Sequence, residues 1–264
     1  MDLDISGKRV LITGGAGGIG EATARLLLEE GCDITITALH RDGLEMAMSR
    51  LGDHGDKLRQ KAADLTDDGD LDALAEFAGE IDILVHTAGI TGAKGDPLEM
   101  TDADYREAFE DDFLSAVRVS RKFLPGMRER GWGRAVYITS ENVAQPYADE
   151  AVYNGAKAGL LTFAKAIAQS YAPDGLLVNT VAPAFIHTPM TDKMMEKNAE
   201  EQGVTKQEAI DEFLEEDRPH LVLDRRGRPE EVAAVIALLV SNRATFTVGA
   251  NYRVDGGSVQ SISL

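Results

Sequence analysis

The 264-residue chain has little of several things that would decide its class early. One cysteine, Cys32, excludes any disulfide within the chain and, beside 8 methionines, fits a reducing compartment. Positive charge is scarce: 27 Lys and Arg stand against 45 Asp and Glu, for a net charge of −18. With no basic stripe to offset it, such a surface repels a phosphate backbone, and nucleic acid is not an expected partner. The longest apolar run, Val232–Val240, is nine residues, about half of what a membrane span needs. The first residues, Met1-Asp2-Leu3-Asp4-Ile5, have neither the basic start nor the apolar core of a secretory leader. These absences predict a cytoplasmic protein with no membrane contact. Aromatics are only 6%, yet hydrophobic residues reach 44% and charged residues 27%, a globular mixture. At this length folding hides roughly 70–75% of the chain's surface, enough for a sizeable core.

What is present is an alternation. Short apolar, β-branched runs occur at Arg9–Thr13, Ile34–Ala38, Leu58–Ala62, Ile81–Thr87, Arg134–Ser140, Leu177–Ala182 and Tyr252–Val254. Helical patterns fill the gaps near 18–30, 41–51, 68–78, 102–126, 151–171 and 229–240. Strands alternating with longer helices predict an α/β fold, a doubly wound sheet of seven parallel strands with helices on both faces. No repeat or low-complexity linker divides it and no composition break occurs before residue 188, so a single domain over 1–264 is expected. One stretch departs from the pattern: residues 196–217 hold nine acidic side chains against Lys197 and Lys206. The segment around 188–220 reads either as a solvated helix pair or as a lid-like insertion at a strand's carboxyl end, where such folds place lids.

The first strand runs into Thr13-Gly14-Gly15-Ala16-Gly17-Gly18-Ile19-Gly20 and then an apolar helix. Phosphates bind at helix N-termini, where free N–H groups and the helix dipole face an anion, and glycine lets backbone approach closely. Between the first strand and first helix of a βαβ unit, this turn predicts dinucleotide binding. The Thr-Gly-x3-Gly-x-Gly spacing, together with several motifs downstream of it, resembles the short-chain dehydrogenase/reductase family over essentially the whole chain. Asp64-Leu65 after the third strand resembles the family's adenine-contacting aspartate segment. Ala88-Gly89 after the fourth matches half of Asn-Asn-Ala-Gly. Ser140, Tyr153 and Lys157 come next in order, then Asn179–Pro183 with Thr188-Pro189-Met190, and Val254-Asp255-Gly256-Gly257. The resemblance implies a Rossmann-type fold and a cofactor site including Gly14, Gly18, Ile19, Gly20, Asp64, Leu65, Ala88, Gly89, Tyr153, Lys157, Pro183 and Thr188.

Tyr-x-x-x-Lys alone says little, because 6 tyrosines and ten lysines give about 0.2 such pairs by chance. Position carries the argument. Residues i and i+4 share a helix face, so Tyr153 and Lys157 can point together toward the strands' carboxyl ends. Moving a hydride to or from an oxygen-bearing carbon also requires moving a proton on that oxygen. Free tyrosine, with a pKa near 10, is a poor base at neutral pH, and a nearby ammonium lowers that value. The residues and the resemblance agree on Tyr153 as acid/base, Lys157 as its tuning charge, and Ser140 as the group orienting the substrate oxygen; the resemblance also implies a ribose contact for Lys157.

The pattern also breaks. The family usually carries a catalytic asparagine in the long fourth helix. Aligning that helix to Leu124-Pro125 as its end puts Asp112 there, and a one-residue slip gives Asp111, also acidic. Asn-Asn-Ala-Gly has become His86-Thr87-Ala88-Gly89, and His86 reads either as a buried strand residue or as a cofactor neighbour. Ala184 replaces the usual glycine after Pro183. At the end of the second strand, where an acid would bind the ribose of NAD, the chain reads Thr37-Ala38-Leu39-His40-Arg41-Asp42. His40 and Arg41 there favour NADP(H), and Asp42 keeps NAD(H) open. The remaining histidines show no metal-ligand spacing, and no metal site is expected.

These readings predict an NAD(P)-dependent oxidoreductase interconverting a secondary alcohol and a ketone, acting on a small molecule. A 3-oxoacyl reductase is one sub-reading, with Arg118, Arg121, Lys122, Arg128, Arg130 and Arg134 as a basic surface for an acidic carrier protein. A non-catalytic dinucleotide-binding sensor is the alternative from another class, supported only by Asp112. Substrate-contacting residues are expected within 91–97, 142–150 and 185–220. The apolar surface of 102–126 and 151–171 exceeds what one sheet face hides, which predicts a homo-oligomer; the resemblance implies a tetramer, with a dimer the other expectation.

Overall fold

A computed structural model describes residues 2–262; Met1, Ser263 and Leu264, the ends of the expected domain, lie outside the described residues. The first strand, β1 (Arg9–Thr13), pairs in parallel with β2 (Asp33–Ala38) on one side and β4 (Ile83–His86) on the other. With β3 (Leu58–Ala62), β5 (Gly133–Ile138), β6 (Leu176–Pro183) and β7 (Asn251–Val254), the sheet has order β3-β2-β1-β4-β5-β6-β7. Every pairing is parallel. The order reverses direction between β1 and β4. The crevice outside their carboxyl ends is where a sheet of this kind binds ligands.

Period-2 alternation in the strands sorts the core into two layers. Val10, Ile12, Ile83, Val85 and Val136 pack on one face, with helices α1 (Gly18–Glu29), α2 (Arg41–Leu51) and α9 (Pro229–Val240). Leu11, Leu84, Ala135 and Tyr137 face the other way, against α3 (Asp68–Ala78), α5 (Ser115–Glu129) and α6 (Ala151–Tyr171). Both faces are therefore covered, which is why the central strands read as continuous apolar runs.

Two expectations about elements are corrected. The helix expected over 102–126 is three pieces: α4 (Asp102–Phe109), a π-helical turn Glu110–Leu114, and α5. Pro125 lies inside α5 and does not end it. Ser140 does not end the fifth strand: β5 stops at Ile138, and Ser140 caps a short 3₁₀ turn, Glu141–Val143, by accepting from the Asn142 N–H. The acidic segment forms a helix pair, α7 (Pro189–Gln202) and α8 (Lys206–Glu216). Its inner side is a small core of Phe185, Met195, Ile210, Phe213, Leu214 and Leu221. Its carboxylates face outward.

Candidate active site

The glycine turn after β1 packs against the turn after β4. Gly14 has φ +65°, and a Cβ there would stand 2.7 Å from Thr87 Oγ1, so only glycine fits. Thr87 Oγ1 donates to the Thr13 carbonyl at 2.7 Å, and Thr13 Oγ1 lies 3.0 Å from His86 Nδ1. His86 is fully buried, which makes it a strand residue and not a cofactor neighbour; burial, then Lys157, pushes its pKa down to about 3. Helix α1 begins after Gly17 with no side-chain cap, so its first N–H groups are free for an anion.

Two cavities of about 230 and 290 Å³ meet at this helix end. They share Gly14, Gly17, Thr87, Gly89, Ile90 and Met190. The first also touches Gly18, Ile19, Gly20, Tyr153, Lys157, Pro183 and Thr188; the second touches Ala38, Leu39, Asp64, Leu65 and Ala88. The uncapped helix start between two joined hollows fits a dinucleotide, its diphosphate at α1 and one nucleoside in each hollow. Two Thr66 hydrogen bonds, from side chain and backbone, hold the Asp64 carboxyl below its usual range and so keep it an acceptor. His40 and Arg41 do not line either cavity: both are exposed, and Arg41 Nε is 2.8 Å from Glu45 Oε1.

At the inner end of the groove, Lys157 Nζ lies 2.9 Å from Asp112 Oδ1 and donates to the Ile138 carbonyl at 3.3 Å. Asp112 is fully buried and sits in the π-helical turn, a feature frequent at functional sites. This places Asp112, not Asp111, beside Lys157. Burial raises the Asp112 carboxyl despite Lys157; for Lys157, burial pulls down but Asp112 and Tyr153 outweigh it, and the ammonium is raised. Asp112 Oδ1 also accepts from the Ile90 N–H at 3.2 Å. A Cβ on Gly89 would collide with Asp112 Oδ1 and stand 2.9 Å from Lys157 Nζ.

The Lys157 ammonium is 5.5 Å from the Tyr153 ring centre. Burial raises the Tyr153 phenol above 10; Lys157 opposes this, Asp112 reinforces it, and a Ser140 hydrogen bond opposes it. Sequence spacing thus brings Ser140, Tyr153 and Lys157 to one cavity wall.

A profile described as enoyl-(acyl carrier protein) reductase matches residues 14–259. The 3-oxoacyl-(acyl-carrier-protein) reductase of Vibrio cholerae is 33% identical over 260 residues, covering 97% of this chain and 98% of its own. The chain belongs to the short-chain dehydrogenase/reductase family. An uncharacterised oxidoreductase of Bacillus subtilis is 31% identical over 264 residues, 99% of this chain and 100% of its own. Among solved structures, L-sorbose reductase from Gluconobacter frateurii, complexed with NADPH and L-sorbose, superposes with a TM-score of 0.92. It is 33% identical and covers 99% of this chain and 100% of its own. As a short-chain dehydrogenase/reductase, the chain is an NAD(P)-dependent oxidoreductase interconverting alcohol and ketone.

Beyond Ser140 and Tyr153 opens a third cavity, about 430 Å³, whose wall includes Lys94, Glu141, Asn142, Glu150 and Arg218. All but Glu141 fall within the expected substrate ranges, yet sequence reasoning names none of them individually. The one signal that could have found them is charge: Lys94, Glu150 and Arg218 are ionisable residues in loops that border a pocket. The basic set expected to face a carrier protein does not form a free patch. Arg134 is buried, Arg118 pairs with Glu110 and Arg128 with Asp174 at 2.6 Å each, and Lys122 pairs with Asp72.

Among the described residues no helix is long and apolar enough to cross a membrane.

Proposed function

We propose that this enzyme reduces a ketone to a secondary alcohol with NADPH, and runs the reverse oxidation with NADP⁺. The observation that carries this is the position of Ser140 and Tyr153 at the junction of the dinucleotide groove and the third cavity, with Lys157 beside them on the groove side. Bound in the groove, the nicotinamide supplies the hydride. Tyr153 gives the substrate oxygen its proton, and Lys157 favours the phenolate left behind. Ser140, turning its hydroxyl away from Asn142 Oδ1, donates to the same oxygen and orients it. Asp112 takes the place of the usual asparagine and works against the Lys157 field.

NADPH is favoured because Ala38 and Leu39, the residues of that strand end which touch the groove, are apolar, and His40 and Arg41 come directly after them. Arg41 reaches a 2′-phosphate by leaving Glu45. The NADPH in the L-sorbose reductase complex supports the same choice. The pair α7–α8 acts as a lid, since Met190, Lys193 and Met194 of α7 line the third cavity. Helices α5 and α6 form the contact of a homo-oligomer in the cytoplasm.

A 3-oxoacyl reductase is the second reading, favoured by the Vibrio cholerae relative. Steady NADPH consumption by the purified protein against a panel of ketones and a 3-oxoacyl thioester tests the proposal. Turnover of a ketone with NADPH preferred over NADH supports it. Cofactor binding without turnover of any carbonyl would leave the sensor reading standing instead.

A further inference from the structure

The wall of the third cavity is a buried network of ionic and amide groups. Glu150 is its centre, with its side chain 5% exposed. One Glu150 oxygen takes Lys94 Nζ at 2.6 Å and Arg218 Nη2 at 3.1 Å; the other takes Asn142 Nδ2 at 2.6 Å. Burial alone would raise this carboxyl, but Lys94, Arg218 and Asn142 outweigh it and hold it below the usual range. Asn142 passes the network to the reaction centre: its Oδ1 accepts from Ser140 Oγ at 2.9 Å. Next to Ser140, Glu141 is 2% exposed and lines the same cavity. Its Oε1 accepts from Tyr147 at 3.1 Å and lies 3.9 Å from Arg218 Nε, while its Oε2 is buried with no hydrogen-bond partner.

Such a wall is costly to bury, and an aliphatic ligand makes it costlier by removing water without replacing a hydrogen bond. Within this network, Glu141 and Glu150 balance Lys94 and Arg218; Lys193 and Lys197 of α7 also line the cavity but are exposed, and Lys197 pairs with Glu201 at 3.6 Å, so the network calls for no net ionic ligand. What remains unsatisfied and reachable is directional: spare N–H groups on Lys94, which makes one hydrogen bond of its three and has a side chain 34% exposed.

We propose that this cavity binds a neutral polyhydroxylated ketone and its alcohol, a ketose and polyol, with Glu150 as the residue that organises recognition. Hydroxyls flanking the reacting carbon donate to Glu150 and accept from Lys94 and Arg218. The reaction is that of the proposed function, on which this inference rests. The carbonyl carbon takes a hydride, its oxygen takes a proton from Tyr153, and NADPH becomes NADP⁺.

The test is reduction by purified protein with NADPH of ketopentoses and ketohexoses, set against 2-hexanone and a 3-oxobutanoyl thioester. A site built for hydroxyls rejects the deoxy analogue strongly. At least one ketose is expected to exceed 2-hexanone in kcat/KM by ~10²-fold or more. In Glu150→Gln that ratio falls at least about tenfold, with NADPH binding followed by fluorescence to show a folded protein. Turnover of 2-hexanone or the thioester above every ketose overturns this inference and leaves the ketone reductase intact. An unchanged ratio in folded Glu150→Gln overturns the role of the wall. No turnover of any carbonyl, and no oxidation of the matching alcohols with NADP⁺, overturns the reductase reading itself.

Discussion

Asp112→Asn isolates one charge while keeping the shape of the side chain and an acceptor oxygen for both Lys157 and the Ile90 N–H. Lys157 Nζ is 5.5 Å from the Tyr153 ring centre and 2.9 Å from Asp112 Oδ1, so the carboxylate oxygen is within about 8.4 Å of that ring. At that limit a unit charge is worth about 2 kcal/mol with an effective dielectric of ~20, and about 0.5 kcal/mol with that of water. These correspond to roughly 1.5 and 0.4 pH units. The sign comes from the groups themselves. Asp112 disfavours the phenolate and raises Tyr153, so removing its charge lowers the pKa of Tyr153. Lys157 keeps two oxygen acceptors in the variant, the amide and the Ile138 carbonyl, and remains charged. Alcohol oxidation requires the phenolate, and its rate rises with pH through that pKa. The rising limb of kcat for oxidation with NADP⁺, recorded from pH 6 to 10.5, should therefore move to lower pH by about 0.4–1.5 units in Asp112→Asn. An unmoved limb refutes the electrostatic role. A limb displaced upward refutes it as well, because it would mean that Asp112 serves to keep Lys157 protonated.

Four further outcomes are expected. Tyr153→Phe loses at least ~10²-fold in turnover, the low end for general acid–base catalysis, with NADPH affinity retained in a fluorescence titration; activity within a few-fold of wild type assigns the proton to another group. Arg41→Ala weakens NADPH by about 1.5–3 kcal/mol, as for one charge-assisted contact, and leaves NADH nearly unchanged by calorimetry; equal losses reject the 2′-phosphate assignment. Gly89→Ala overpacks the Asp112–Lys157 pair, at about 1–3 kcal/mol, and should lower the melting temperature and turnover together; a wild-type melting curve with full activity contradicts the close approach. Light scattering at micromolar concentration should give a dimer or tetramer, and a monomer ends the α5–α6 interface proposal.

Much of the fold was legible because the strands are buried on both faces and the helices are not. Val10, Leu11 and Ile12 point alternately to different helical layers, so all must be apolar, whereas α2 and α3 need one apolar stripe each. The glycine turn was legible for a related reason: Gly14 answers to a backbone constraint that no other residue meets. The split of the fourth helix was not, since a π-helical turn keeps the apolar spacing on either side and leaves no mark in periodicity. Nor was the Glu150 network. Its members come from the segment after β4, the segment after β5 and the end of α8, and only the folded chain shows that Lys94 and Arg218 share one carboxylate.

The departure at Asp112 has two parts, which asparagine at that position separates. Its Oδ1 holds Lys157 and also accepts from Ile90, in the turn that forms the floor of the cofactor groove. The hydrogen-bonding half of that arrangement needs only an acceptor of the right length, which asparagine supplies equally well. The charged half adds a penalty to the Tyr153 phenolate that asparagine would not impose. A protein that reduces ketones needs Tyr153 protonated at the start of the reaction, so a raised phenol keeps the donor loaded across neutral pH. The same charge hinders the reverse reaction, which begins from phenolate. On the proposed mechanism, aspartate at 112 therefore sets the working pH of the two directions apart, with reduction favoured near neutral pH.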